Sequence, residues 1–308
     1  MSRPLGLTLV VLALLACGDG TPDGGPDAAG KPLVMTTFYP TVYFTRRIAG
    51  DLVTVACPVP EDEDAIFWQP DEETIGRYQQ ADMIVINGAQ FEKWVLTTSL
   101  PPAKVVDTAK PFEKDFVRFE HAVTHTHGPA GEHAHEGIDG HTWLDPVNAK
   151  IQAGEIHKAL VRLMPAQEET LDAGFAALVA DLDGLDAKFR ALPGTPPLLA
   201  SHPAYNYLAK RYGWKIVNLD LDPETMPADE VFAQVKKTLE THPAKFLLWE
   251  SDPTAEIATR FRDELGITSV TVSPCEMMTA RELVGREDYL TKMTRNLVVL
   301  KSVFSAGE

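Results

Sequence analysis

The chain is poor in cysteine, in basic residues and in long apolar runs, and each shortage excludes something. Three cysteines among 308 residues cannot build the dense disulfide framework of small secreted scaffolds, so apolar burial has to hold the fold. Only 28 Lys and Arg stand against 44 Asp and Glu, a formal charge of −16. That balance excludes a nucleic-acid partner, because phosphate binding needs clustered cations. No segment beyond residue 16 is long and apolar enough to cross a bilayer. Neither His-Glu-x-x-His nor Gly-x-Ser-x-Gly occurs, which removes the familiar signatures of a zinc peptidase and of a serine hydrolase.

What is present is a chain with 44% hydrophobic residues, enough for a real core and long enough for two domains. Met1, Ser2 and Arg3 lead into an apolar run from Leu5 to Ala16 that stops at Cys17. The run is too short to span a membrane and suits the apolar region of a signal peptide. Leu14-Leu15-Ala16-Cys17 resembles the bacterial lipobox, so residues 1–16 are expected to be a leader and Cys17 to carry a lipid anchor. Residues 17–32, rich in Gly, Pro and Asp, cannot build a core and read as a flexible tether. Cys57 and Cys275 remain, and an exported compartment would permit a disulfide between them, although the sequence does not show that they meet.

From Leu33 onward short apolar strands alternate with helical stretches. Leu33–Phe38, Val53–Val59, Met83–Ile86 and Lys104–Asp107 read as strands, with helix around Tyr43 to Ala49 and over Glu72–Gln80. The alternation favours a parallel sheet. Residues 121–140 break the pattern with His121, His125, His127, His133 and His135, a loop read as a weak metal collector, since a mobile segment loses entropy on ordering. Helical character resumes over Asn148–Met164. Leu171, Phe175, Leu178, Leu182, Leu185 and Phe189 then recur at steps of three or four, the mark of one long amphipathic helix. A second alternation runs from Leu198 to Val303. The expected architecture is therefore two parallel-sheet α/β lobes, residues 33–165 and 194–308, joined by a single long rigid helix over 166–193.

Two histidines stand apart from the loop. His141 opens the segment His141-Thr142-Trp143-Leu144-Asp145-Pro146, whose Asp-Pro can cap a helix. His202 follows a strand of the second lobe and precedes a helix. Ligands of open α/β sheets gather at the carboxyl ends of strands, so one histidine per lobe could face the other across a cleft. Neutral imidazole suits zinc and its first-row neighbours.

These segments resemble the solute-binding lipoproteins of bacterial zinc and manganese ABC importers. The resemblance also rests on Phe38-Tyr39-Pro40, on Ala81-Asp82 through Asn87-Gly88 with Phe91-Glu92-Lys93-Trp94, on Ser201-His202-Pro203-Ala204-Tyr205-Asn206-Tyr207, and on Trp249-Glu250-Ser251. It implies two α/β lobes held by one helix, a metal site in the inter-lobe cleft, His141 and His202 as ligands, Zn2+ as cargo with Mn2+ also accommodated, and an ABC permease as partner of a monomer. Two family positions depart. The family's first ligand is a His in an Asp-Pro-His segment, where Asp64-Ala65-Ile66 places Ile66. The last is an acid before a proline, where Ser273-Pro274 stands. Zinc takes four ligands from His, Cys, carboxylate or water, so Glu250 is the first candidate to complete the set, followed by Asp64, Glu63 and Cys275. The expected function is capture of a divalent transition metal and its delivery to a permease, without enzymatic activity. The alternatives are a relative with an altered site acting as a metallochaperone, sensor or binder of another ligand, and a zinc hydrolase.

Overall fold

The first strand, β1 (Leu33–Thr36), is buried at every position, as expected of an apolar run covered on both faces. The structure, a computed structural model, describes residues 30–61, 63–119, 123–126, 132–135 and 137–306. The leader over 1–16, Cys17, most of the tether, His121 and His127 lie outside the described residues.

After β1 the chain forms α1 (Tyr39–Ala49), β2 (Thr54–Ala56), α2 (Glu72–Gln80), β3 (Met83–Ile86) and β4 (Val105–Asp107). The four strands make one parallel sheet in the order β2-β1-β3-β4. Where the sequence reads as loop, the backbone pairs β5 (Val123–Thr126) antiparallel with β6 (Glu132–His135), His125 opposite His133. The β-branched Val123, Thr124 and Thr126 favour that extended course.

Two helices follow, α3 (Pro146–Leu163) and α4 (Glu168–Arg190). Asp145 caps α3 by accepting from the Val147 backbone N–H at 2.9 Å, with Pro146 in the first turn. The long helix α4 starts only at Glu168, because Pro165 turns the chain into a short 3-10 segment first. Its buried face is Leu171, Leu178, Leu182, Leu185 and Phe189, a stripe at helical spacing. One contact on α4 leaves no room for a side chain. A Cβ on Gly174 would lie 2.4 Å from the Ile48 carbonyl oxygen at the end of α1. Gly174→Ala should therefore lower stability by about 1–3 kcal/mol, the usual cost of overpacking, read as a lower urea midpoint.

The second half runs β7 (Pro197–Ala200), α5 (Asn206–Tyr212), β8 (Lys215–Asn218), α6 (Asp229–Thr241), β9 (Phe246–Trp249), α7 (Ala255–Leu265), β10 (Thr268–Thr271), α8 (Ala280–Val284) and α9 (Tyr289–Ala306). Its sheet is parallel, ordered β10-β9-β7-β8. Counted from its own first strand, this is the same order as the first sheet. The two α/β halves thus share a topology that their sequences do not betray.

A continuous core joins the halves. Tyr289 of α9 packs its ring 5.6 Å from Tyr43 and 5.2 Å from Phe44 of α1, and its hydroxyl donates to the Trp143 carbonyl at 2.6 Å. At its far end α9 places Phe304 5.1 Å from Trp214. The helix therefore packs against both halves. Cys57 and Cys275 are free thiols, so the disulfide that export would permit is not made. Burial holds the Cys57 thiol up at about 11 and the Cys275 thiol at about 12, which keeps both protonated and slow to oxidise. Dithiothreitol should leave the melting temperature unchanged.

Candidate metal centre

In both sheets the loops at the carboxyl ends of the strands turn toward one buried point. His202 lies just past β7, Glu250 directly follows β9 and Glu276 sits in the segment after β10, while Asp64 lies in the loop after β2. In the second sheet β7 and β9 are neighbours where strand order reverses, the place where doubly wound sheets bind ligands.

His141 is 1% exposed and His202 3%, and their Nε2 atoms face each other at 3.3 Å. Glu276 Oε1 lies 3.0 Å from His141 Nε2. Donor atoms of His141, His202 and Glu276 all fall within 4.8 Å of one another, the group among the described residues with metal-binding geometry. Bonds of about 2.0–2.2 Å to a tetrahedral zinc put neighbouring donors about 3.3 Å apart. The two shortest separations already match that spacing.

The sequence brings these groups together by local means. Asp139 is fully buried, and its Oδ1 accepts from the His141 backbone N–H at 2.9 Å and from His141 Nδ1 at 2.7 Å. With Nδ1 engaged, Nε2 is the nitrogen left to face a metal. Asn87, at the end of β3, grips the residues on both sides of His141. Its Nδ2 donates to the Gly140 carbonyl at 2.8 Å and its Oδ1 accepts from the Thr142 hydroxyl at 2.9 Å. Gln152 of α3 donates to the same Oδ1. Trp143 donates its indole N–H to the Pro274 carbonyl at 2.7 Å, tying the His141 segment to the segment that carries Glu276.

The segment that carries Glu276 is fixed at several points. The Glu276 carbonyl accepts from the Tyr39 N–H at 3.1 Å, and Asn296 of α9 brackets Ser273 by accepting from its N–H and donating to its carbonyl. Cys275 adopts φ +61°, a left-handed conformation rare for a residue with a Cβ. That turn lies immediately before the carboxylate.

The resemblance puts Ser273, one residue before Pro274, at the family's last acid, whereas the carboxylate in the converging group is Glu276, two residues after that proline. The signal was an acid just beyond the final strand, out of step with the proline. Asp139 falls inside the stretch whose composition reads as a His-rich loop, so the sequence carries no sign of its bond to His141. Cys275 is not in the converging group, and its thiol bonds the Ser273 carbonyl at 3.5 Å. Glu63 is exposed, and Ile66 is buried in the apolar core.

Glu250 Oε2 lies 3.7 Å from His202 Nδ1, the ring nitrogen other than the one facing His141. Burial raises the Glu250 carboxyl to about 8, with Glu276 and Asp64 adding repulsion and His141 opposing. Burial likewise raises Asp64 to about 7, with Glu276 repelling and His141 attracting. Asp64 Oδ1 accepts from the Ile66 N–H at 2.8 Å. For His141 burial works against the charged form, but Asp139 and Glu276 outweigh it and lift the imidazole to about 10. The clustered carboxyl groups of Asp64, Glu250 and Glu276 thus face the His141 imidazole in one buried place, and burial and mutual repulsion favour the protonated forms of Asp64 and Glu250.

A two-lobed α/β chain with two histidines and a carboxylate converging where its loops meet has the form of a metal-binding solute receptor. Residues 34–303 match the family described as zinc-uptake complex component A, periplasmic, and the chain belongs to that family. The high-affinity zinc uptake system protein ZnuA of Bacillus subtilis is 29% identical over 305 residues, covering 94% of this chain and 93% of its own. The zinc-binding lipoprotein AdcA of Streptococcus pneumoniae is 28% identical across 96% of this chain. This chain spans 59% of the length of that relative. Among solved structures, the metal-dependent lipoprotein YcdH of B. subtilis superposes with a TM-score of 0.77 at 26% identity, covering 89% of this chain and 99% of that one. The Zn(II)-bound ZnuA-like domain of S. pneumoniae AdcA gives 0.76 at 25% identity over the same shares.

Proposed function

We propose that this protein captures Zn2+ outside the cytoplasm and hands it to an ABC importer permease. The observation that supports capture is the 3.3 Å separation of the His141 and His202 Nε2 atoms with Glu276 Oε1 3.0 Å from the first. His141, His202 and Glu276 bind the metal. Asp64, which lies outside the group of three donors but close enough to Glu276 and His141 to interact electrostatically with both, supplies the fourth donor. Glu250, the sequence's first candidate for that role, orients His202 from its Nδ1 side. Zn2+ is the preferred cargo over Mn2+, because two imidazoles favour the later metal.

Delivery rests on the family and on the names of its relatives, as does placement at the membrane through a lipid on Cys17. Among the described residues no helix is long and apolar enough to cross a membrane. With Asp64 as the fourth protein ligand no position would be left for an activated water, which suits transport rather than hydrolysis.

Competitive titration against a chromophoric chelator should show one tight zinc per chain, with Mn2+ displaced at equal concentration. Deleting the gene should slow growth in chelator-treated medium, and added zinc should restore it. A protein that binds zinc with that stoichiometry yet leaves zinc uptake unchanged on deletion would point instead to a metallochaperone or sensor.

A further inference from the structure

The carboxylate that orients His141 is itself held by the other half of the molecule. Asp139 Oδ2 accepts from Asn206 Nδ2 at 2.9 Å, and Asn206 opens α5, four residues beyond His202. The same amide nitrogen donates to the Pro203 carbonyl at 3.0 Å. Both neighbours of that nitrogen are acceptors without a hydrogen to give, so the amide orientation is fixed by chemistry. Its Oδ1 must then face a donor, and Asn218 Nδ2, at the end of β8, supplies one at 2.9 Å. The next residue repeats the connection, Tyr207 donating its hydroxyl to the Asp139 carbonyl at 2.9 Å.

We propose that Asn206, supported by Asn218, is a positioning residue for metal binding. It locks Asp139, and through it the His141 ring, onto the helix that His202 precedes, so the two ligand histidines form one preset unit across the cleft. A neutral amide suits the task. It steers one Asp139 oxygen while leaving the negative charge to grip His141 Nδ1–H, where a lysine or arginine would neutralise it. Sequence reading overlooked Asn206 because its partner Asp139 lies 67 residues away.

The affinity part of the test rests on the zinc-capture reading, and the spectroscopic part does not. In the metal-free protein the His141 Nδ1–H proton, bonded to a buried carboxylate, should resonate far downfield and exchange slowly. Asn206→Ala should shift or broaden it and weaken zinc binding about 10-fold, the lower end for outer-shell partners of a metal ligand. Asn218→Ala, which removes only the remote support, should produce the same change to a smaller degree and serves if Asn206→Ala folds poorly. In an Asp139→Asn background, Asn206→Ala should add less than about twofold, because the relay is already cut. An unchanged Nδ1–H signal, or fully additive effects of Asn206→Ala and Asp139→Asn, would overturn the proposal. If the wild type bound no zinc, the capture reading would fall while the proton signal still decided the relay.

Discussion

His141→Ala should weaken zinc binding by on the order of 1,000-fold, the largest loss expected from any single substitution in this protein. Structural zinc sites are worth about 10–16 kcal/mol over four ligands, so one ligand carries about 2.5–4 kcal/mol, or about two to three decades of affinity. His141 stands at the upper end because its removal does more than delete a donor. Asp139, fully buried, loses both the imidazole it bonds and the cation that balances it, and an unpaired buried carboxylate is costly. Glu276→Gln keeps the shape and the oxygen but removes the charge, and should cost about 10–100-fold. Glu250→Gln, which removes the charge facing His202 Nδ1 without removing a donor to the metal, should cost about 10-fold. Titration with a competing chelator measures all three, and far-ultraviolet circular dichroism confirms that each variant folds. A His141→Ala protein that still binds zinc within threefold of wild type would remove this cleft as the site.

The sequence carried the fold further than the site, and the reason is physical. Strands buried on both faces, such as β3 at Met83–Ile86, and helices with one apolar stripe, such as α2 and α4, announce themselves through local periodicity. His141 and His202 were legible for a similar reason, each sitting in a stretch where a strand end or helix cap fixes the backbone. Glu276 was not. Its position depends on a left-handed Cys275, a Tyr39 N–H from the other half and a bracket from Asn296, none of which leaves a local pattern. The β5–β6 ribbon was hidden in a similar way, since histidine and glycine gave it a loop's composition while alternation over four residues was too short to outweigh that. The shared order of the two sheets is a property of chain path, and no residue comparison between the halves reveals it.

Raising the pH from about 5 to 8 should destabilise the metal-free protein and at the same time widen the gap between its melting temperature and that of the zinc-loaded form. Asp64 has its ordinary value of 3.8 when unfolded and about 7 when folded. Glu250 goes from 4.5 to about 8, Glu92, buried and bonded to Thr37 and Asn87, from 4.5 to about 7, and His141 from 6.5 to about 10. In each case the folded state holds a proton that the unfolded chain has released, so rising pH favours unfolding. The carboxyl groups act from about pH 4 to 8, and His141 takes over from about 6.5 to 10. Zinc reverses the sign, because it replaces the protons of Asp64 and His141 and supplies the charge that the clustered carboxylates lack. Each proton displaced makes affinity rise about tenfold per pH unit below the group's folded value, so zinc affinity should climb at least tenfold per unit between about pH 5 and 7. Paired melting curves with and without one equivalent of zinc measure both trends. Asp64→Asn should flatten the zinc trend, whereas Glu92→Gln, remote from the donors, should shift both curves together and leave the zinc-induced difference unchanged. A zinc-induced shift that stayed constant across this range would mean that the metal binds without displacing those protons, and the four-ligand set with Asp64 in it would be wrong.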